Sequence, residues 1–260
     1  MNENLFNPEY PSETFLLEGS STGIVLFHGF TATTLEVRDL AEEIHSRLGW
    51  TVFAPLLPGH GTSPRDLAKT RHSEWIESAE QAFNSLKCRT TRWFVGGESM
   101  GGLLALYLAA CHPEIEKLIV YAPALKIPGF YKAKLFSRFI FGSPKSHLAP
   151  TKEGYLPWQG YKINPLKAVV ELGFLQNRIQ GILPEIHQPI LIYQGKQDET
   201  IDHQSAFMVY NAVSSREKQL VELDECGHCV LLDKQHLEVN IRSIEFLSAQ
   251  SENNSKMKTL

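Results

Sequence analysis

Short apolar runs alternate with amphipathic segments along most of the chain. The strand-like runs lie at residues 23–30, 51–57, 92–97, 117–125, 189–195 and 218–224. Apolar residues at helical spacing predict three amphipathic helices, with stripes formed by Val37, Leu40, Ala41, Ile44 and Leu48, by Trp75, Ile76, Ala79, Phe83 and Leu86, and by Leu237, Ile241, Ile244 and Leu247. Residues 100–111 form a further, almost wholly apolar helical segment. The repeated strand–helix–strand order predicts the α/β class, with a mostly parallel central sheet flanked by helices.

Residues 126–187 break this alternation. They carry aromatic residues, prolines and lysines without clear strands. We interpret the segment as a cap insertion over the strand ends, within a single domain that spans residues 1–260. The polar tail at residues 251–260 is predicted to be disordered.

The charge and hydropathy of the chain argue against some classes of binding partner. The chain has 260 residues and a formal net charge of −4, with no run rich in lysine or arginine, which argues against nucleic acid or an anionic membrane as a partner. The uncharged apolar stretch at residues 99–113 is shorter than the roughly 18 residues of a membrane-spanning helix, so no stable membrane insertion is expected.

The N-terminus lacks the basic start and apolar run of a signal peptide, and a cytoplasmic, reducing location is predicted. The oligomeric state is not predicted.

The stretch VGGESMGG places one serine between a strand and a helix. Residues 97–101 fit the pattern G-x-S-x-G, a sharp strand-to-helix turn with the hydroxyl of Ser99 exposed at its tip. Glycine is expected on both sides because strand and helix pass too close there for a Cβ. The N–H of Met100 would lie at the positive end of the helix, where it could stabilise a developing oxyanion. Because the motif is short, the alternative is an ordinary glycine-rich turn.

A serine nucleophile needs a base that removes its proton and an acid that orients the base. In a sheet of this kind the acid follows a later strand and the histidine follows the last one, which predicts Asp198 and His228. Each has an alternative, since Asp198 could be a turn residue or a helix N-cap and His228 an ordinary loop histidine. Glu199 and Asp202 are rival candidates for the acid.

Two further strand ends border the predicted site. The loop FHGF at residues 27–30 is expected to supply the second oxyanion donor through the N–H of Phe30. His28 is expected to brace this loop. His60, in the turn PGHG at residues 58–61, is expected to be structural.

Together these motifs resemble those of the α/β-hydrolase family, in particular its bacterial carboxylesterases and monoacylglycerol lipases. The matching pieces are HGFTAT, PGHG, GESMGG, GKQDET and ECGH, and the similarity extends from residue 22 to residue 247. The resemblance implies Ser99 as nucleophile, His228 as base and Asp198 as orienting acid. It also implies that the amides of Phe30 and Met100 form the oxyanion hole and that the insertion is a cap that shapes the substrate pockets.

The expected reaction is two-step hydrolysis of a small-molecule carboxylic ester, with a short to medium acyl chain or a monoacylglycerol as substrate. No metal or organic cofactor is implied. The apolar side chains of the insertion either line an acyl pocket or pack the insertion onto the core; they are Ile127, Phe130, Tyr131, Leu135, Phe136, Phe139, Ile140, Phe141, Tyr155, Trp158 and Tyr161. A thioesterase, an amidase or peptidase, or a perhydrolase would use the same triad, and a non-catalytic ligand-binding protein could share the fold.

Two features depart from the family pattern. Relatives often have His or Leu before the nucleophile, whereas this chain has Glu98. We expect its carboxyl group to be hydrogen-bonded to nearby backbone; the alternative is a charge that alters pH dependence or leaving-group choice. Cys226 and Cys229 flank the predicted base in the sequence CGHC, which is also a redox motif at the start of a helix in disulfide isomerases. Here it follows a strand, so redox catalysis is not expected, and a reversible disulfide that disturbs His228 is the remaining alternative.

Overall fold

The computed structural model of the chain describes residues 2–127, 130–145 and 154–249, and a seven-stranded sheet lies at the centre of these ranges. The strands, numbered along the described chain, are β1 (Leu5–Phe6), β2 (Phe15–Leu17), β3 (Thr22–Phe27), β4 (Thr51–Ala54), β5 (Arg92–Glu98), β6 (Lys117–Tyr121), β7 (Gly142–Pro144), β8 (Gly160–Tyr161), β9 (Ile163–Pro165), β10 (Ile190–Gly195) and β11 (Lys218–Leu223). The helices are α1 (Leu35–Leu48), α2 (Pro64–Leu67), α3 (His72–Lys87), α4 (Met100–Cys111), α5 (Phe130–Phe136), α6 (Leu166–Ile182), α7 (Gln204–Ala212) and α8 (His236–Ser248), and a 3₁₀ turn follows α6 at Leu183–Glu185.

The strand order of the central sheet is β11-β10-β6-β5-β3-β4-β2. Every neighbouring pair is parallel except β2 and β4, which are antiparallel. The predicted fold class, a mostly parallel sheet flanked by helices, is therefore confirmed. Because β5, β10 and β11 run in the same direction, the loops that follow them all leave from one edge of the sheet, where ligands bind in open α/β sheets.

Helices cover both faces of the sheet, which explains why its inner strands are apolar on both sides. Alternate residues of β3 point to opposite faces, so Val25 and Phe27 pack in the cluster that contains α3 and α4, whereas Ile24 and Leu26 pack in the cluster that contains α1 and α8. All six residues of β3 are buried. The two hydrophobic clusters therefore pack against opposite faces of the sheet, below the loops at its carboxyl edge.

The insertion has more secondary structure than the sequence predicted. Between β6 and β10 the described residues contain helices α5 and α6 and three short strands, of which β8 pairs with β1 and β7 pairs with β9. Its apolar side chains differ in burial: those of Ile127 and Tyr155 are half-buried, and those of Phe130 and Tyr131 lie outside the described residues. Trp158 and Tyr161 are buried, whereas a second group is exposed: Leu135, Phe136, Phe139, Ile140 and Phe141. The interpretation that this second group packs onto the core is wrong.

Several boundaries differ from the predicted ones. The strands predicted at 23–30, 51–57 and 117–125 end at Phe27, Ala54 and Tyr121, since buried loop residues continue each apolar run. On α8, Leu237 and Ile241 of the predicted stripe are exposed, and the buried face includes Val239, Ser243 and Phe246 instead. The predicted disordered tail lies outside the described residues. Within those residues, no helix combines the length and apolar character needed to cross a bilayer.

Candidate active site

Ser99 lies at the turn from β5 to α4 in a strained backbone conformation. Its φ of 56° and ψ of −114° fall in a region that residues with a Cβ rarely adopt. The turn is tight: a Cβ added to Gly97 would lie 2.4 Å from the carbonyl carbon of Gly101, and one added to Gly101 would lie 2.1 Å from the carbonyl oxygen of Phe27. The predicted need for glycine at both positions is therefore confirmed.

The three side chains predicted to act together do meet at the edge of the sheet. His228, in the loop after β11, has its Nε2 2.9 Å from Oγ of Ser99 and its Nδ1 2.8 Å from Oδ2 of Asp198. Both distances are those of hydrogen bonds. The imidazole therefore bridges a hydroxyl and a carboxylate, an arrangement in which the ring can take a proton from the hydroxyl while the carboxylate stabilises the resulting charge.

Asp198 is fully buried and surrounded by donors. The N–H groups of Thr200 and Ile201 donate to its Oδ1 at 2.8 and 3.1 Å, and the amide of Gln194 donates to its Oδ2 at 3.1 Å. Burial alone raises the pKa of Asp198, but the positive charge of His228 and the hydrogen bonds from His228, Thr200 and Ile201 outweigh it and leave the pKa below its ordinary value. Asp198 is therefore held as a carboxylate.

The rival acids lie elsewhere. Asp202 pairs with the ammonium of Lys126 at 2.6 Å, and Glu199 is exposed. Neither makes the contact with His228 that Asp198 makes.

Two backbone amides border Ser99. Within the described chain, the N–H groups of Phe30 and Met100 have no hydrogen-bond acceptor. Phe30 belongs to the donor loop, residues 28–32, where the N–H of Ala32 donates to the carbonyl of Gly29 at 3.2 Å and Thr31 has a φ of 64°. Met100 is the first residue of α4, where backbone N–H groups are free to bind an anion.

Two buried histidines support the donor loop. The Nδ1 of His28 lies 2.9 Å from the carbonyl oxygen of Gly29, and its Nε2 accepts the N–H of Leu57 at 3.1 Å. Burial lowers the pKa of His28 to about 4, so the ring stays neutral and can make both contacts. His60 packs edge-on against His28, with ring centroids 4.9 Å apart, and its Nδ1 lies 3.0 Å from the carbonyl oxygen of Pro58. Both contacts agree with the expected bracing and structural roles.

The structure also reveals a buried carboxylate that the sequence did not indicate. Glu36, in the first turn of α1, accepts the N–H of Gly29 on Oε2 at 2.5 Å and the indole N–H of Trp158 on Oε1 at 2.9 Å. A glutamate in the first turn of a helix is ordinarily explained by the helix dipole, so no local signal could have identified this contact.

Glu98 is completely buried beside the nucleophile. Its Oε1 accepts the N–H of Leu231 at 3.4 Å, as expected of a carboxyl group bonded to nearby backbone. Its Oε2 has no hydrogen-bond partner among the described residues. Burial, together with the charge of Glu36, raises the pKa of Glu98 well above its ordinary value. This environment favours the neutral acid over the charged carboxylate at the residue before Ser99.

Cys226 and Cys229 are both free thiols in the described structure. Burial raises the pKa of Cys226 to about 11 and that of Cys229 well above its ordinary value. Because the thiolate is the reactive form, this environment disfavours redox chemistry at the pair.

The sequence is similar to those of known proteins over most of its length. The family model Hydrolase_4, described as "Serine aminopeptidase, S33", matches residues 20–155 and 162–235. A thermostable monoacylglycerol lipase of Bacillus sp. (strain H-257) is 32% identical over 244 residues, which cover 92% of this chain and 97% of the relative. A carboxylesterase of Bacillus subtilis (strain 168) is 29% identical over 243 residues, 90% of this chain and 95% of the relative.

Solved structures agree with these matches. One, from a study of the metagenome-derived lipolytic enzymes LipS and LipT, superposes with a TM-score of 0.85 at 29% identity and covers 91% of this chain and 97% of its own. The monoacylglycerol lipase of Paleococcus ferrophilus superposes with a TM-score of 0.74 at 20% identity over 92% of this chain and 98% of its own, which shows the shared fold.

Proposed function

The chain belongs to the Hydrolase_4 family of α/β-hydrolases, and from this premise we propose that it cleaves carboxylic esters through a Ser99–His228–Asp198 triad and an acyl-enzyme. Membership confirms the resemblance predicted from the sequence, and the relatives support the predicted class of carboxylic ester hydrolase. The observation that carries the proposed mechanism is the pair of contacts made by His228, at 2.9 Å to the hydroxyl and 2.8 Å to the carboxylate.

In the first step His228 takes the proton of Ser99 as the hydroxyl oxygen attacks the ester carbonyl. Asp198 accepts a hydrogen bond from the Nδ1–H of the ring, so that Nε2 is the free base. It also stabilises the imidazolium once that cation forms. The amides of Phe30 and Met100 bind the carbonyl oxygen as its negative charge develops. Loss of one such donor typically costs about 10²- to 10³-fold in rate.

In the second step the imidazolium returns its proton to the alkoxide of the leaving alcohol, and the acyl group stays on Ser99 as an ester. A water molecule, deprotonated by the same ring, attacks this ester through a second tetrahedral oxyanion. The carboxylic acid departs and the Ser99 hydroxyl is restored.

The substrates proposed are esters of short to medium acyl chains, including monoacylglycerols. The support is the monoacylglycerol lipase relative, which spans nearly the whole chain. The cap proposed for residues 126–187, within the single domain, would shape the pocket for the acyl group. Its exposed apolar side chains at residues 135–141 offer a surface that suits a substrate of this kind.

The test is hydrolysis of p-nitrophenyl esters of graded chain length by the wild type, by Ser99→Ala and by Ser73→Ala. Ser73 is an exposed serine of α3 and serves as the matched control. Ser99→Ala should lose about 10⁴-fold or more in kcat, because no other group forms the acyl-enzyme. It should also fail to form the covalent adduct that a fluorophosphonate gives with the wild type. Hydrolysis by Ser99→Ala at the wild-type rate would rule the proposal out.

A second candidate activity is amide hydrolysis. The observation in its favour is the description of the matching family model, which names a serine aminopeptidase. Thioester cleavage and perhydrolysis would use the same triad. The ester panel is therefore extended with aminoacyl p-nitroanilides, with acyl thioesters, and with esters in the presence of hydrogen peroxide. The kcat/KM values rank these substrates directly and so separate the activities.

A further inference from the structure

Glu36 connects three parts of the molecule around the donor loop. Its side chain starts on α1, is 3% exposed, and binds the backbone of Gly29 through one oxygen and the indole of Trp158 through the other. A Cβ built on Gly29 would lie 3.0 Å from Oε2 of Glu36 and 3.1 Å from the Cβ of Ser99. The carboxylate and the nucleophile therefore lie against the same residue of the donor loop.

Both oxygens of Glu36 accept hydrogen bonds from N–H donors, which the amide of a glutamine in its place could not do. A carboxylate accepts on both oxygens, whereas an amide accepts on one atom and donates from the other. Such charge-assisted hydrogen bonds are stronger than neutral ones. Burial raises the pKa of Glu36 above its ordinary value, and the two donors and the charges of His228 and Lys145 offset only part of this rise. Burial and the charge of Glu36 raise the pKa of the neighbouring Glu98 more strongly, well above its ordinary value.

The partner on the insertion side is firmly held. Trp158 belongs to the anchor segment, residues 154–161, whose contacts reach the donor loop and its surroundings. The N–H of Tyr161 donates to the carbonyl of Thr31 at 2.9 Å, and the hydroxyl of Thr33 donates to Gln159 at 2.6 Å. The ammonium of Lys145 lies 4.3 Å from the centre of the Trp158 ring. Through Glu36, the anchor segment therefore reaches the backbone of Gly29, next to the amide of Phe30.

We propose that Glu36 is a positioning residue, whose carboxylate fixes the peptide of Gly29 between the anchor segment and Ser99 and so aims the N–H of Phe30 at the oxyanion. This inference rests on the proposed function, because the oxyanion is the one formed on Ser99. Glu36 acts on the transition state and leaves ground-state binding of the substrate nearly unchanged. A change at Glu36 should therefore appear in kcat rather than in KM.

The test measures kcat and KM for one p-nitrophenyl ester with Glu36→Gln, Trp158→Phe and the double variant. In Glu36→Gln the new amide must point its NH₂ group at one of the two N–H donors. Misplacement of the Gly29 peptide should then lower kcat by about 10- to 100-fold with little change in KM. In the Trp158→Phe background the indole donor is absent, so the amide carbonyl is free to accept the N–H of Gly29. There the same substitution should cost less than about 3-fold in kcat.

Glu42→Gln is the matched control, because it makes the same substitution on the same helix at an exposed carboxyl group, which pairs with Arg38; its kcat should stay at the wild-type value. Equal losses from Glu36→Gln in both backgrounds, or no loss in either, would overturn the inference. If Glu36→Gln does not fold, the double variant is compared with Trp158→Phe alone. A kcat within about 3-fold supports the inference, and a loss above about 10-fold overturns it.

Labelling with a fluorophosphonate separates this inference from the proposed function. All Glu36 and Trp158 variants should still bind one equivalent, whereas Ser99→Ala should bind none. If Ser99→Ala hydrolyses the ester at the wild-type rate, the proposed function fails. If Ser99→Ala is inactive and Glu36→Gln retains full kcat, only the role of Glu36 fails.

Discussion

At the scale of single residues, the charge of Asp198 can be tested by an isosteric change. Three donors besides His228 point at its two oxygens, so an asparagine there must direct its NH₂ group at one of them or at the histidine ring. Asp198→Asn should therefore lower kcat by about 10⁴-fold, because the ring loses both its required tautomer and its counter-charge. The measurement is ester hydrolysis near neutral pH.

The rival acid provides the control for this experiment. Asp202 pairs with Lys126 away from the histidine, so Asp202→Asn should keep the wild-type kcat. Equal activity losses in the two variants would show that Asp198 has no special role.

Single residues differ in how far the sequence reveals them. Ser99, Asp198 and His228 could be predicted because each follows a strand, and parallel strands bring the residues after them to one edge of the sheet. Glu36 could not be predicted in this way. Its two donors lie 7 and 122 residues away in the chain, and the contact depends on how the insertion folds back onto α1. Tertiary placement of this kind leaves no periodic pattern in the sequence.

At the scale of elements, the approach of α4 to β3 depends on Gly101. A Cβ there would meet the backbone of Phe27 at 2.1 Å, and backbone atoms cannot move aside as a side-chain end can. Gly101→Ala should lower the free energy of unfolding by about 3 kcal/mol or more, or prevent folding. Urea unfolding followed by circular dichroism measures the loss.

Gly181→Ala is the control for this change, since it lies in α6 with no atom within 4 Å of an added Cβ. Alanine there should stabilise the protein by about 0.5 to 1 kcal/mol, because it has the higher helix propensity. A Gly101→Ala protein as stable as the wild type would contradict the close packing at the nucleophile turn.

The elements that the sequence predicted are those with a clean apolar pattern. The long strands of the central sheet, α1, α3 and α4 all have one, because they pack directly on the sheet. Helix α6 does not: Gly173 and Gln176 are on its buried face, where Gln176 donates to the carbonyl of Ala124, while Phe174 is exposed. A helix whose buried face satisfies polar backbone groups does not show a simple hydrophobic stripe, which is why α6 was not predicted.

At the scale of the whole molecule, Glu98 links stability to pH. Its folded-state pKa lies well above the ordinary value of 4.5, owing to burial and to the charges of Glu36 and Asp198, although the N–H groups of Val230 and Leu231 partly oppose this. The folded protein therefore retains a proton that the unfolded chain releases above about pH 4.5. Since the unfolded state then binds fewer protons, the free energy of unfolding falls as the pH rises above that value.

Glu98→Gln removes the group that titrates and keeps the shape of the side chain. Near pH 4 the carboxyl group is protonated in both states, so any difference between wild type and variant reflects hydrogen bonding alone. Above about pH 5 the variant should become progressively more stable than the wild type, by at most about 1.4 kcal/mol per pH unit. Urea unfolding of both proteins at several pH values measures the slope. A difference that stays constant with pH would mean that Glu98 is ionised in the folded protein, and a negative charge would then lie beside Ser99 during catalysis.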